Sequence, residues 1–597
     1  MQLTGLDWTF IFGFFALALG VGVWCTKQTG KSSSDFFLSG RNMPWWLLGV
    51  SMVATTFSTD TPNLVTDIVR KNGVAGNWVW WAFLLTGMLT VFVYAKLWRR
   101  SEVLTDVEFY EIRYSGKTAA FLRGFRALYL GVFFNIMIMA TVSLAAIKIG
   151  GVMLGLSPVN CIIWASLVTV LFSSLGGLKG VLLTDFVLFI IAMIGSVGAA
   201  VFALSTPEVG SLSALVSNPA VADKLSLFPK LVPAAGGGFT PESINLMVSV
   251  LIIPIAVQWW SVWYPGSEPG GGGYLAQRML AAENEKHATG AVLFFNVAHY
   301  GLRPWPWIIV ALCSLVVFPN LGSLQAAFPN VRPDIINDDM AYPAMLRKVL
   351  PPGWMGLVLA SLTAAYMSTI STHLNWGSSY VVNDFYKRFV KPRAGEKELV
   401  LVGRISTVLM MAAAGLIALQ LTNALQAFQI LMQIGAGTGL LFILRWFWWR
   451  VNAVSELVAM IVSFAVAVVF QTLETGLEGW QQLVAGVGIT SVSWIVTSLV
   501  TKPADEETLK SFCKKINPGG PGWKPVYALI ETEGGAIQHD SVNLPRGILC
   551  MVLGCIMVYT SLFATGLWLY GQMMPAAVLA LVAIAAAAVL FRIWQRK

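Results

Sequence analysis

The stretch VATTFSTDTPN, residues Val53 to Asn63, interrupts an apolar segment that runs from Met43 to about Ile68. It places four threonines, a serine, an aspartate and a proline within eleven residues. A helix in lipid has no water to satisfy freed backbone groups, so a polar, proline-broken patch must face protein or a water-filled cavity. The stretch therefore predicts a membrane helix that is broken near its middle, with a binding site at the break.

The rest of the chain has the composition of a polytopic membrane protein. It has 597 residues, of which 56% are hydrophobic and 12% charged, and its mean hydropathy is +0.70. The first apolar run lacks the basic start of a signal peptide, so we expect a retained span with the N-terminus outside. We predict an all-α protein with about fifteen transmembrane helices, centred near residues 15, 56, 87, 139, 168, 192, 254, 302, 369, 410, 435, 461, 490, 559 and 584.

The distribution of basic residues supports this topology. Of the 39 lysines and arginines, 30 fall in loops predicted to lie inside and 7 in loops predicted to lie outside. The positive-inside rule therefore accounts for the net charge of +9, and no nucleic-acid partner is predicted. We expect the chain to reside in the lipid bilayer of a plasma or inner membrane. No enzyme activity is predicted, because no nucleophile has a paired base.

The ninth predicted span carries a stripe of small polar residues. Ser361, Ala365, Ser368, Thr372 and Asn375 recur at spacings of three and four, so they share one helical face. One interpretation is close helix packing with hydrogen bonds across the interface. The other is a site for a hard cation such as Na⁺, which takes hydroxyl oxygens and the backbone carbonyls freed at a broken helix.

A second helix break is expected in the seventh span, at Pro254 of VLIIPIAVQWW. Five spans separate its start from that of the span broken at Val53 to Asn63. Paired breaks at this separation are expected from two inverted repeats of five helices each, with the binding site at the repeat interface.

Six further motifs occur in order along the chain: VLTDVEFYEIRY (Val103 to Tyr114), LTDFV (Leu183 to Val187), AQRMLAA (Ala276 to Ala282), ASLTAAYMSTISTHLN (Ala360 to Asn375), VVNDFYKRF (Val381 to Phe389) and FWWRVN (Phe447 to Asn452). With the two breaks, they make the sequence similar to the sodium/solute symporter family through about residue 500. That family includes sodium-coupled galactose, glucose, proline and sialic acid transporters and has the LeuT-type fold of inverted five-helix repeats.

The resemblance implies Na⁺ as the coupling ion. Its ligands would be the main-chain carbonyls of Ala54, Phe57 and Ala365 and the hydroxyls of Ser368 and Thr369. Some family members have a second Na⁺ site, which here would use Asp185, Ser371 and Thr372 together with Ser368. The alternative for Asp185 is an exposed position at the cytosolic end of its helix, so the number of coupled ions stays open.

The solute side is less transferable from the family. A glutamine of the tenth core helix contacts sugar in the family's sugar carriers, which implies Gln429, whereas Trp80 replaces an acidic sugar contact. Arg303 favours an organic anion, because its planar fork can hold a carboxylate. The candidate solute-binding residues are Thr56, Ser58, Asp60, Thr61, Trp80, Asn296, His299, Arg303 and Gln429.

Structural roles for several of these polar residues stay open. Arg303 could instead pair with Asp60, or cap carbonyls freed by Pro304 and Pro306. His299 could be an ordinary interior histidine. Lys148, near the outer end of its span, is expected to extend to the membrane surface rather than to bind.

The sequence therefore predicts a sodium-coupled symporter that imports a small organic solute by alternating access. The alternatives are an organic anion or amino acid in place of a sugar, an uncoupled facilitator or channel, and a membrane sensor or enzyme. The identity of the solute and the oligomeric state stay open.

The predicted organisation is an extra helix and cytosolic linker (1–42), a first five-helix repeat (43–204), an outer loop (205–242), a second repeat (243–446), two accessory helices (447–500), a cytosolic loop (501–546) and two C-terminal helices (547–597).

Overall fold

The computed structural model describes residues 3–26, 38–234, 237–261, 268–329, 331–423, 432, 434–435, 437–535, 537 and 540–595. Within these residues the regular structure is helical, apart from two isolated β-bridges. The main helices are α1 (Gly5–Thr26), α2 (Trp45–Thr56), α3 (Asp60–Asn72), α4 (Val74–Ser101), α5 (Gly116–Leu154), α6 (Pro158–Leu204), α7 (Pro241–Ala256), α8 (Gly273–Ala281), α9 (Glu285–Val317), α10 (Trp354–Val390), α11 (Glu396–Ala418), α12 (Gly439–Leu444), α13 (Ala453–Thr472), α14 (Gly479–Val500), α15 (Glu506–Ile516), α16 (Lys524–Thr532), α17 (Leu544–Leu569) and α18 (Met573–Gln595). Shorter helices in the connections include Phe109–Arg113, Leu212–Ser217, Pro219–Ala222, Leu321–Ala327 and Ala341–Val349.

Ten of the described helices are long and apolar enough to cross a membrane: α4, α5, the Leu178–Leu204 part of α6, α9, α10, α11, α13, α14, α17 and α18. Shorter apolar helices at Gly5–Leu17, Trp45–Thr56, Pro158–Leu167 and Pro241–Ala256 coincide with four more of the predicted spans. The span predicted near residue 435 lies partly outside the described residues, which include α12 in its second half. The all-helical membrane class is therefore confirmed, while the count of fifteen spans and the division into repeats and loops stay predictions.

One pair of predicted spans differs from the structure. The segments centred near residues 168 and 192 form a single helix, α6, of 47 residues. At 1.5 Å per residue its contour length is about 70 Å, more than twice the thickness of a bilayer's hydrocarbon core. No proline follows Pro158 in this segment, so no missing backbone N–H forces the helix to end.

The first predicted break is present. α2 ends at Thr56, Phe57 leaves the helical region with φ −85° and ψ 72°, and α3 begins at Asp60. Pro62 lies in the first turn of α3, where a missing N–H costs no helical hydrogen bond.

The second break lies beyond Pro254 and not at it. The turn Val248–Ile252 is a π-helix, and Pro254 follows it within α7, which continues to Ala256. The wider π-turn reduces the clash between the proline ring and the preceding turn. Val257, with φ −133°, ends the helix, and among the described residues the next α-helix begins at Gly273.

The packing of the helices places the first break, between α2 and α3, at the centre of the molecule. Of the residues in the apolar window of α10, 89% are buried, against 22% for α18, so α10 lies in the core and α18 at the periphery. α2 packs against α6, α9 and α10. The end of α2 therefore faces three other helices, each of which contributes polar side chains.

Lys148 does not extend to the membrane surface. Its Nζ donates to both carboxylate oxygens of Asp339, at 2.7 and 2.6 Å, and both side chains are buried. Asp339 lies in the connection between α9 and α10, 191 residues from Lys148. The partner is therefore invisible to local sequence reasoning, and the surface position expected for Lys148 is wrong.

We expect Lys148→Met to destabilise the protein by at least about 3 kcal/mol, because it leaves the Asp339 carboxylate buried without its counter-ion. The melting temperature of the purified protein measures the change. The double variant Lys148→Met/Asp339→Leu is the control, since removing both charges is much less costly than removing one. A double variant no more stable than the single variant contradicts the pairing.

Candidate functional site

Of the residues proposed for the first Na⁺ site, Thr369 of α10 contacts the end of α2. The hydroxyl of Thr369 donates to the main-chain carbonyl of Thr55 at 2.8 Å. The hydroxyl of Ser368 donates to Oδ1 of Asp185 on α6 at 2.5 Å. A hydroxyl has one proton and two lone pairs, so a hydroxyl whose proton is already donated presents only acceptor character to a cation. Both side chains are thus set up as oxygen ligands.

The backbone at the end of α2 supplies further oxygens. The Phe57 N–H is shared between the carbonyls of Val53, at 2.8 Å, and Ala54, at 3.1 Å, which marks the end of the regular helical ladder. The carbonyls of a terminal turn lack the helical N–H partners of an interior turn. Ala365 lies one turn before Thr369 on α10. The donor set is therefore made of hard oxygen atoms, which suit a hard cation.

Asp185 is buried, with 1% of its surface exposed, so the exposed position considered for it is wrong. Ser51 of α2 donates to Oδ2 at 2.5 Å, and Ser368 occupies Oδ1. The other two residues of the predicted second Na⁺ site lie on the same face of α10: Ser371 donates to the carbonyl of Ser368 at 3.1 Å, and the Thr372 hydroxyl lies 3.3 Å from that of Thr55.

Arg278 of α8 reaches the same group. Its Nη2 donates to Ser51 Oγ at 3.2 Å and to Thr372 Oγ1 at 3.1 Å. Arg278 belongs to the AQRMLAA motif but was not predicted as a site residue. No signal within one helix could have placed it here, because Ser51, Asp185 and Thr372 come from three other helices.

The second polar group joins the end of α2 to α9. The hydroxyl of Thr56 lies 3.1 Å from Nδ1 of His299 and accepts from Nη1 of Arg303 at 3.3 Å. Nη1 also donates to the Val53 carbonyl at 3.3 Å, and Nη2 lies 2.5 Å from His299 Nδ1. The guanidinium is stacked 5.3 Å from the Trp307 ring. Arg303 therefore caps a carbonyl, but one at the break between α2 and α3 and not one freed by its neighbouring prolines.

Trp80 forms the aromatic side of this group. Its ring meets His299 edge to face, with centroids 5.7 Å apart, and stacks on Tyr300 at 5.8 Å. Its indole N–H donates to Asn77 Oδ1 at 2.8 Å. Trp80 stands where the family's sugar carriers have an acidic residue. Its indole is hydrogen-bonded within α4 and packs against α9.

The break itself presents acceptor oxygens. Oδ1 of Asp60 and Oδ1 of Asn63 are buried and have no hydrogen-bond partner among the described residues. The Thr61 hydroxyl donates to the carbonyl of Thr56 at 3.3 Å. Ser58, between these two residues in the sequence, is buried. Asn63 was not predicted as a site residue, although it follows Asp60 by one helical turn.

Two predicted solute residues are not brought into this group. Asn296 donates to the Val292 carbonyl of its own helix at 2.8 Å. Its side chain also packs against Gly87 so closely that a Cβ added to Gly87 would lie 1.7 Å from Asn296 Oδ1. Asn296 therefore lies in the contact between α4 and α9. Gln429 lies outside the described residues.

A buried charge network lies on the connection between α7 and α8. Glu268 accepts from Arg126 Nη2 at 2.7 Å and lies 3.7 Å from Arg445, and all three side chains are buried. Arg445 is also 3.8 Å from Glu456, whose other oxygen accepts from Tyr114 at 2.6 Å. We call Arg126, Glu268, Arg445 and Glu456 the inner network. It joins α5, α13 and the second break through residues that are far apart in the sequence, so these contacts could not be predicted from local patterns.

A broken membrane helix whose freed carbonyls meet hydroxyls of a second helix, beside a buried polar group, is the architecture of an ion-coupled secondary transporter. The chain belongs to the sodium:solute symporter family, whose sequence profile matches residues 36–463. It is therefore a Na⁺-coupled solute symporter and a multi-pass membrane protein, and the expectation that it is not an enzyme agrees with its family.

Two relatives and one solved structure show the extent of the similarity. The sodium/glucose cotransporter of Vibrio parahaemolyticus is 26% identical over 516 residues, which cover 83% of this chain and 90% of that protein. The sodium/mannose cotransporter of Bos taurus is 26% identical over 492 residues, covering 79% and 80%. The substrate-bound outward-open structure of a Na⁺-coupled sialic acid symporter superposes with a TM-score of 0.64 at 22% identity, covering 84% of this chain and 99% of that one. The chain shares this LeuT-like fold.

Proposed function

We propose that the protein imports an uncharged, hydroxyl-rich solute of the sugar class together with Na⁺ by alternating access. The observation that carries the solute class is a group of buried polar atoms at the break that have no hydrogen-bond partner among the described residues: Oδ1 of Asp60, Oδ1 of Asn63 and the hydroxyls of Ser58 and Thr59. A buried acceptor without a partner costs about 1–3 kcal/mol, and a ligand that donates hydrogen bonds removes that cost. Hydroxyl groups do so without bringing a charge.

The organic anion considered from the sequence is disfavoured. Arg303, the group that would hold a carboxylate, already donates to the Val53 carbonyl and the Thr56 hydroxyl. An anion beside Asp60 would also face its carboxylate, and two like charges at close range repel. The relatives named for glucose and mannose transport agree with a hydroxyl-rich solute.

For the ion, we propose a Na⁺ site formed by Ala54, Phe57, Ala365, Ser368 and Thr369. Na⁺ bound there links α10 to the end of α2 and so favours the arrangement of the break in which Thr56, Ser58, Asp60 and Thr61 receive the solute. Such coupling requires that the ion bind one arrangement more tightly than the other. We further propose a plasma or inner membrane location with the N-terminus outside.

A thermal-shift screen of the purified protein tests the solute class. We expect glucose, mannose or a related polyol to raise the melting temperature in Na⁺ and not in K⁺ at equal ionic strength. Monocarboxylates and amino acids are the comparison sets. Stabilisation by a carboxylate alone would overturn the proposed solute class in favour of the anion.

Asp60→Asn is expected to weaken binding of the polyol found in that screen by tenfold or more. A hydrogen bond to a charged acceptor contributes about 1.5–3 kcal/mol, and the amide lacks the charge. Na⁺-dependent stabilisation without solute should persist, because Asp60 is not among the proposed Na⁺ ligands. Unchanged polyol affinity, measured by titration of the melting temperature, would remove Asp60 from the solute site.

A further inference from the structure

The hairpin formed by the end of α10 and the start of α11 carries an unbalanced positive charge. Residues 387–404 contain six lysines and arginines but only two acidic residues, Glu396 and Glu398. α11 has 23 residues, which span about 35 Å, and the hydrocarbon core of a bilayer is about 30 Å thick. Since α11 is apolar enough to cross a membrane, its first turn lies at the level of the lipid headgroups.

Two of the six cations are paired within the protein. Arg388 pairs with Glu111 at 2.9 Å, and Lys391 pairs with Glu398 at 2.8 Å. The other four are exposed and form no ion pair within the part of the chain that the structure describes: Lys387, Arg393, Lys397 and Arg404. Their charge is therefore available to a partner outside the protein.

The side of α11 that carries two of these cations faces lipid. Only 33% of the residues in its apolar window are buried, and Leu401, Ile405 and Val408 are at least half exposed. Lys397 and Arg404 are seven residues apart, so they lie on one helical face, and Leu401 lies between them on that face. An apolar, lipid-facing surface is thus marked by two exposed cations about two turns apart.

The position of Arg404 is the decisive feature of this surface. It lies eight residues after the first residue of α11, about 12 Å along the helix axis, and therefore at hydrocarbon depth. A charge at such a position is costly unless the side chain reaches the membrane surface and meets an opposite charge there. Side chains lean toward the N-terminus of their helix, which brings the guanidinium toward Lys397 and the headgroups.

We propose that this surface binds a negatively charged phospholipid. The Arg404 guanidinium binds the lipid phosphate through its planar fork, and Arg393 and Lys397 contribute the remaining positive charge. The acyl chains lie along the exposed side chains of Leu401, Ile405 and Val408. The positive-inside rule accounts for basic residues in the connection itself, but it does not require an arginine two turns into a lipid-facing helix.

Titration of lipid into the purified full-length protein in a neutral detergent tests the proposal, with the melting temperature as the measurement. The wild type should bind phosphatidylglycerol at least tenfold more tightly than phosphatidylcholine with the same acyl chains. The triple variant Arg393→Gln/Lys397→Gln/Arg404→Gln should lose this preference. Equal affinity of the wild type for the two lipids, or an unchanged preference in the triple variant, would overturn the proposal.

The matched control removes three exposed lysines from other parts of the chain, as Lys230→Gln/Lys502→Gln/Lys524→Gln. It should keep the preference for phosphatidylglycerol, and a loss equal to that of the triple variant would show a general attraction of charge and overturn the site. Inorganic phosphate added with phosphatidylcholine should not reproduce the stabilisation. If it does, the ligand is a free anion and the lipid assignment is wrong.

Arg404→Leu separates the arginine from the rest of the surface and is the second variant if the triple variant does not fold. Leucine continues the apolar face of α11, so the helix should remain in the membrane. We expect the preference for phosphatidylglycerol to fall severalfold in this variant. A preference equal to that of the wild type would contradict the role of Arg404 and with it the proposed site.

Discussion

Replacing both Ser368 and Thr369 by alanine is expected to abolish the response of the protein to Na⁺. The two hydroxyls come from adjacent residues of α10, and their protons are held by Asp185 and by the Thr55 carbonyl. The double variant removes two of the five proposed oxygen ligands, so we expect Na⁺ affinity to fall at least a hundredfold. Since one factor of ten corresponds to about 1.4 kcal/mol, this requires a loss of only about 1.4 kcal/mol for each ligand.

The measurement is the Na⁺-induced rise in melting temperature, titrated against K⁺. Ser361→Ala is the matched control: Ser361 lies on the same face of α10 two turns earlier, and its hydroxyl donates only to the Val358 carbonyl of its own helix. It should leave the Na⁺ response unchanged. A double variant with wild-type Na⁺ affinity would place the ion elsewhere and contradict the site.

The second large effect is expected from Glu268→Gln in the inner network. Glu268 is the carboxylate within reach of both Arg126 and Arg445, and all three side chains are buried. Removing one partner of a buried ion pair typically costs 3–5 kcal/mol, and here two guanidinium groups lose a counter-ion. We therefore expect destabilisation of about 5 kcal/mol, at the upper end of that range.

The free energy of unfolding or, where unfolding is irreversible, the melting temperature in detergent measures this change. Glu398→Gln is the control, because Glu398 pairs with Lys391 at a largely exposed position, where an ion pair contributes only about 0–1 kcal/mol. Equal losses in the two variants would contradict the assignment of the inner network as a stabilising element.

The inner network also bears on transport. It fastens the connection between the two halves of the second broken helix, at Glu268, to α5 through Arg126. A transporter that alternates between two states must release such contacts on one side in turn.

The first helix break, the polar face of α10 and the family could all be predicted from the sequence alone. The polar, proline-containing stretch from Thr55 to Pro62 predicted the break between α2 and α3, because a membrane helix has no water to satisfy polar groups at that depth. The three- and four-residue spacing of Ser361, Ala365, Ser368 and Thr372 placed them on one face of α10. The family followed from motifs in order along the chain, and the family profile confirmed it.

The tertiary structure alone decided how the charges are paired. Lys148 and Asp339 are separated by 191 residues, and Ser51 and Arg278 by 227, so no periodicity within a helix could have joined them. The same holds for Arg303, whose partners lie at the end of α2, and for the inner network. Hydrophobic patterning predicts which residues are buried, and a local cluster of polar residues predicts where a membrane helix breaks. Which buried cation balances which buried anion depends on how the helices pack, as the pairs Lys148 with Asp339 and Arg126 with Glu268 show.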